Sequence, residues 1–410
     1  MDGHNLLSGA SMTRRWFSFL LLLALAPVSI AQKPAATPKS VNLLPPPNSV
    51  SIGGEPVRVL KRQQKGDDKP QFLTATVLPG RAMAVLQITA FVPGKGEVNV
   101  FSAPSLGDAK DLLDKNDDKF GNKIFSIGGA FLVPYANRIR GQVSPDGGEI
   151  VTKLGDQQAR LPANWSGKNS GAEKVSMHGL MLTSKFQNVQ QHNQADGASL
   201  SGIFHAGDWD GHWPSSTDVS VRVVLRNDAV EFTITAKDVG KDPLPIGIGW
   251  HPYFSIPSGD RKQARLHIPA DKVAVMNNYV DVFPTGDVRP VSAADGKYDF
   301  TAPGGKALDD IYLDDNFQDL KRSPNGSAVA TVIDPQSNYG IRIRAESPEV
   351  KSIQVYSPPD KDFVAIEPQF NLPDPYGSEW KNTDTGMVLL KPGQSTTWRV
   401  RLELFTPQKQ

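Results

Sequence analysis

"VSVRVVLRNDAVEFTITAKDV", residues 219–239, decides the fold class. Its first half sets Val219, Val221, Val223 and Leu225 on one side of Ser220, Arg222 and Val224. Its second half sets Phe232, Ile234 and Ala236 against Glu231, Thr233 and Thr235. A period of two is the pattern of a strand with one buried face, and the turn-forming "RNDA" between the halves separates two such strands. The same texture recurs in "AMAVLQITAFV" (82–92), "YGIRIRAE" (339–346), "SIQVYSP" (352–358) and "STTWRVRLELF" (395–405). Between them stand "PDGG", "AADGK", "APGGK" and "SPNGS", all turn chemistry. One segment has helical character, "SLGDAKDLLDKNDD" (105–118), with Ser105 as its cap. Many short strands with little helix predict an all-β protein, a large antiparallel sandwich or barrel.

Composition narrows the function classes. The 410 residues carry 44 Lys and Arg against 43 Asp and Glu, a net charge of +1. With no long basic run to neutralise a phosphate backbone, nucleic acid is not an expected partner. There is no cysteine, which excludes disulfides, thiolate metal sites and cysteine nucleophiles. "MTRRWFSFLLLLALAPVSIAQ" (12–32) has a basic start at Arg14 and Arg15, an apolar stretch from Trp16 to Ala26, and small residues at Ser29 and Ala31. This is the layout of a cleavable export signal over 1–31, implying a periplasmic protein free of the membrane after cleavage. The apolar stretch falls short of the roughly 20 residues a span needs. A Pro-rich linker is expected over 32–51, and one catalytic or binding domain over 52–410.

Several polar residues sit in apolar company. His251, in "GIGWHPYFSIP" (247–257), lies between a tryptophan and a proline; His178 precedes Gly179, whose freedom permits a sharp turn. His192, His205, His212 and His267 fit rings hydrogen-bonded in turns or strands, or left in solvent. Glu367 closes an apolar strand in "DFVAIEPQF", where desolvation would raise its pKa and make it a better base near neutral pH. "PYANRIRGQ" (134–142) places Asn137, Arg138 and Arg140 together, with guanidinium forks suited to neighbouring sugar hydroxyls or a carboxylate. "LDDIYLDDNF" (308–317) has four aspartates but lacks the glycine and distal glutamate of an EF-hand loop. Trp209 and Trp213 could stack on a sugar or anchor their loop. Phosphate-binding glycine loops, HExxH and G-x-S-x-G elbows do not occur.

Taken in order, "PYANRI", "HGL", "PLPIGIGWHPYF", "LDDIY" and "IEPQ", with "WPSS" at 213–216 leading toward the HPYF histidine, resemble motifs of the aldose 1-epimerases, the galactose mutarotase-like enzymes, over about Gly53 to Phe405. "HGL" stands where "HGG" is commoner, and "GWHPYF" where the best-known galactose enzymes have "NHSYF". The resemblance implies a galactose mutarotase-like β-sandwich whose open cleft takes a free aldose. It implies Glu367 as catalytic base, His251 as catalytic acid, and Asn137, Arg138, His178 and Asp309 as substrate-binding residues. Interconverting anomers means opening a hemiacetal, rotating about C1–C2 and closing again. A proton leaves the C1 hydroxyl and another reaches the ring oxygen, so an acid and a base suffice and no cofactor or metal is demanded. Two other readings stay open: a non-catalytic carbohydrate-binding protein on the same fold, and a glycosidase using Glu367 and Asp309 as paired carboxylates.

Overall fold

The two halves of the opening stretch become neighbouring antiparallel strands, Thr217–Leu225 and Ala229–Asp238, in register from Thr217 opposite Asp238 to Leu225 opposite Val230. The computed structural model describes residues 51–407 except 116, 168–170, 280 and 294–295. The expected export signal at 1–31 and the linker up to residue 50 lie outside the described residues. Ser51, the last residue of that expected linker, opens the strand Ser51–Ile52.

Two large antiparallel sheets make the sandwich. Among the described residues the first has nine strands and contains the pair above, extended through Ser395–Phe405 and Tyr339–Ala345 to Ala328–Asp334. The second has eleven; its middle runs Leu313–Leu320, Ser352–Ser357, Phe363–Gln369, Gly249–Ser255, Gly129–Leu132 as consecutive neighbours. Aromatic rings join the layers: Trp250 of the second sheet meets Phe232 of the first at 4.5 Å between centroids, and Phe131 meets Trp398 at 6.4 Å. Interdigitation of large side chains from two inner faces is what a face-to-face sheet pair requires. The fold is all-β, as the strand texture predicted, and of the sandwich and barrel that texture left open it is the sandwich, as the resemblance implied.

Among the described residues, helix is confined to Leu106–Leu113, the short Asn122–Phe125 and one turn of 3₁₀ helix at Ser378–Trp380. Ser105 caps the first as expected, accepting from the Asp108 amide at 3.1 Å. That helix stops at Leu113 instead of reaching 118, because Ala109 and Leu113 are its buried residues and only polar residues, "DKNDD", follow. Trp209 and Trp213 are anchors. Both are buried; Trp209 donates to Thr217 Oγ1, and Trp213 donates to the Pro245 carbonyl and stacks on Tyr135 at 5.5 Å. No helix among the described residues is long and apolar enough to cross a membrane.

Candidate active site

Alternation along the second sheet sorts side chains between the core and the opposite face. Trp250 and Phe254, Val364 and Ile366, Ile353 and Val355, Leu313 and Phe317 are buried in the hydrophobic core. The intervening residues turn the other way. Gly249 pairs with Gln369 and Tyr253 with Ala365, so His251 stands opposite Glu367. Glu367 in turn pairs with Gln354, and Gln354 with Asn316. Two residues along, Tyr253, Ala365, Tyr356 and Asp314 form a parallel row. From these two rows His251, Glu367, Gln354, Tyr253, Tyr356 and Asp314 form the floor of a cavity of about 430 Å³.

The roof comes from the "PYANRI" and "HGL" segments, which the chain locks together. His178 donates its amide to the Asn137 carbonyl at 2.7 Å, and Leu180 donates to Val133 at 2.8 Å. Asn137, His178 and Gly179 all have left-handed backbones. A Cβ at Gly179 would lie 2.4 Å from the Val133 oxygen, so only glycine fits that turn. From below, Asn371 clamps the roof, accepting from the Ala136 amide and donating to its carbonyl, each at 2.9 Å. Phe125 of the short helix meets the His178 ring edge-on at 4.7 Å.

These elements bring together five of the six residues singled out from sequence: Asn137, Arg138, His178, His251 and Glu367 all line the cavity. His251 Nε2 lies 3.4 Å from Glu367 Oε1. Its ring packs against His178 at 4.8 Å and Tyr253 at 4.9 Å between centroids. Gln369, fully buried, donates to Glu367 Oε2 at 2.9 Å, leaving the other oxygen on the histidine side. Arg138 Nη1 donates to the carbonyls of Asp281 and Val282, tying the neighbouring wall to the roof. Asn137 Nδ2 donates to Gln354 Oε1, and Gln354 Nε2 donates to Asp314 Oδ1 at 2.8 Å.

Asp309 is the exception: it does not line the cavity. It lies in an exposed left-handed turn before the strand begins at Leu313, and its carbonyl is pinned by Arg261. The aspartate of this segment that lines the cavity is Asp314, five residues on. A glycosidase pair of Glu367 and Asp309 is therefore not assembled. Arg140 is spent elsewhere, in ion pairs with Asp374 at 2.6 Å and Glu379 at 2.9 Å. Sequence reading also passed over Gln354 and Tyr356. Their signal was present: two polar residues at period two inside "SIQVYSP", whose other face is apolar. Phe125, Trp165, Tyr279 and Tyr312, which complete the walls, gave no such signal.

Burial sets the electrostatics. It pushes the Glu367 carboxyl well above the ordinary range, with the Asp314 charge acting in the same direction. It lowers the His251 imidazole to about 4 and drives His178 down as well, helped there by the nearby His251 and Arg138 charges. Asp314 is raised to about 6 by burial, against the pull of Arg138. Burial thus shifts the acid and the imidazole, side by side, in opposite directions, each toward its neutral form.

Comparison with known proteins bears on family and fold. The family model of aldose 1-epimerases matches residues 103–403. A curated relative, the uncharacterized protein YphB of Escherichia coli K12, is 24% identical over 290 residues, 67% of this chain and 82% of that one. Among solved structures, a galactose mutarotase-like protein from Clostridium acetobutylicum superposes with a TM-score of 0.64 at 21% identity, covering 85% of this chain and 98% of its own. An aldose epimerase homologue from C. elegans gives 0.63 at 17% identity, over 85% and 99%. These structural likenesses establish the galactose mutarotase-like fold, and the match across most of the sandwich establishes the rest: the chain belongs to the aldose 1-epimerase family.

Proposed function

We propose that the protein interconverts the α and β anomers of a free aldose, with Glu367 and His251 passing protons at the anomeric centre. The observation that carries this reading is the 3.4 Å separation of His251 Nε2 and Glu367 Oε1 at the floor of the cavity. The two oxygens of a hemiacetal share one carbon, so the groups serving them must stand side by side. They need not bracket the whole ring.

Opening uses the carboxylate–imidazolium form of the pair. Glu367 takes the proton of the C1 hydroxyl as His251 gives its proton to the ring oxygen. The C1–O5 bond breaks, and the pair is left as carboxylic acid and neutral imidazole. That is the form burial favours, and it accompanies the open-chain aldehyde. After rotation about C1–C2, Glu367 returns a proton to the carbonyl oxygen while His251 takes one from the C5 hydroxyl. The ring closes on the other face and both groups regain their starting states. Positioned proton transfer of this kind contributes about 10²–10⁴-fold. A non-catalytic sugar binder would have no use for a desolvated acid–base pair at this spacing.

The sign of the pKa shifts gives a test. The working pair carries one proton. It gains a second below the lowered His251 value and loses its last above the raised Glu367 value. The profile of kcat/KM for the free enzyme is expected to be bell-shaped, its acid limb near pH 4 and its alkaline limb above the ordinary carboxylate range. An acid limb at pH 6–7, the range of an unperturbed imidazole near 6.5, would contradict the shared-proton assignment.

A further inference from the structure

The base of the proposed reaction is held from behind. Glu367 Oε2 accepts a hydrogen bond from Gln369 Nε2 at 2.9 Å, while Oε1 stands 3.4 Å from His251 Nε2. Gln369 is fully enclosed and does not line the cavity, so a bound sugar does not touch it. It lies two residues along the strand from Glu367, on the same face. Its cross-strand neighbours are Gly249 and Ser352. A Cβ at Gly249 would come within 3.2 Å of Gln369 Cγ and 2.7 Å of the Ala136 Cβ, so the missing side chain there leaves room for the glutamine. Ser352 Oγ is engaged by Asn316 Nδ2 at 3.1 Å.

The rest of the amide is left without work. Among the described residues its side-chain hydrogen bond goes to Glu367 alone, and its Oε1 is buried with no hydrogen-bond partner. A buried glutamine kept for the fold would have both ends satisfied, because an orphaned polar atom costs stability. Here one end is unsatisfied and the other is given to the carboxylate.

Resting on the anomer exchange proposed above, we infer that Gln369 is a positioning residue of that reaction: its amide fixes the plane of the Glu367 carboxylate, with Oε1 as the oxygen that takes the C1 proton. The terminal torsion of a glutamate is soft, so an unheld carboxyl would turn Oε1 away from His251. A donor on Oε2 also favours the charged carboxylate over the neutral acid, and the carboxylate is the form that opens the ring. The other groups facing Glu367 are His251 and Tyr253 from the neighbouring strand, Asp314 from the floor and Arg138 from the roof. Asp314 works against the charged form and Arg138 supports it; Gln369 supplies the hydrogen bond.

The test replaces Gln369 by methionine, which keeps the volume and removes the donor, with Gln369→Leu as a second apolar shape. Anomer exchange of D-glucose is followed by NMR across the pH range. The Glu367 carboxyl is titrated directly by infrared difference spectroscopy, its band assigned with Glu367→Gln. At neutral pH kcat is expected to fall about tenfold or more with KM within about threefold, since the glutamine lies outside the cavity. The alkaline limb and the infrared titration should both move up by about one pH unit, because the acid has lost the donor that favoured its charged form. Thermal unfolding should stay within a few degrees of native. The inference is overturned if kcat and the Glu367 titration are unchanged. It is overturned equally if that titration moves down, which would mean that the amide accepts from a protonated Glu367, or if both variants unfold, which would make the amide a part of the fold. An upward infrared shift in a protein whose native form exchanges no anomers would leave the grip of Gln369 on Glu367 standing and defeat the catalytic reading, so the two failures are told apart.

Discussion

Replacing Glu367 with glutamine is expected to lower kcat for anomer exchange by about 10²–10⁴-fold while leaving the fold intact. The side chain keeps its size in a fully enclosed position, and its amide oxygen can accept the Gln369 hydrogen bond as Oε2 does now. That places the amide nitrogen on the His251 side, where it can donate but cannot take a proton. Thermal unfolding should match the native protein within a few degrees, so the loss is chemical. Activity within tenfold of native, measured on protein of unchanged stability, would remove Glu367 from the proton path.

His251→Ala is the second large effect, a loss of about 10²-fold or more in kcat. In the proposed mechanism the imidazole serves the ring oxygen, and its position is fixed by the strand register opposite Glu367 and by contacts with His178, Tyr253 and Phe125. Truncation empties a ring-sized space beside a cavity that is already open to small molecules. Imidazole added to the buffer is therefore expected to restore part of the lost rate. A histidine that merely filled space would show neither the loss in kcat nor the rescue. A hydrolase working through carboxylates alone would keep much of its activity and release new reducing ends from a glycan, which this account excludes.

Much of this was written in the chain, and the physical reason differs from element to element. Strands such as 219–225 and 229–238 announce themselves because one face is buried, and burial imposes a period of two that residues must obey. Glu367 and His251 were visible because a titratable group among tryptophan, proline and isoleucine has to be compensated or used. Gly179 was legible because a positive φ beside a carbonyl tolerates no side chain.

The errors came where position depends on register. "LDDIYLDDNF" offers four aspartates, and motif likeness favours Asp309; which of them faces the cavity depends on where the strand starts and which neighbour it pairs with. Asp314 pairs with Tyr356 and so shares its face, whereas Asp309 precedes the strand. Likewise the roof is assembled by hydrogen bonds spanning long separations, such as Asn371 to Ala136 across 235 positions, which local pattern does not encode. Walls built from Phe125, Trp165 and Tyr279 belong to the same class. Their segments carry no periodic signal, and only the closed fold places them around one space.

The most direct trial of the central claim is two-dimensional exchange NMR of the anomeric protons of D-glucose and D-galactose with the native protein. Cross-peaks between the α and β signals are expected to grow at a rate proportional to protein concentration, and to return to the uncatalysed rate with Glu367→Gln. Bound sugar whose anomers exchange no faster than in buffer would show that the cavity only binds, and that the histidine and the glutamate at its floor move no proton.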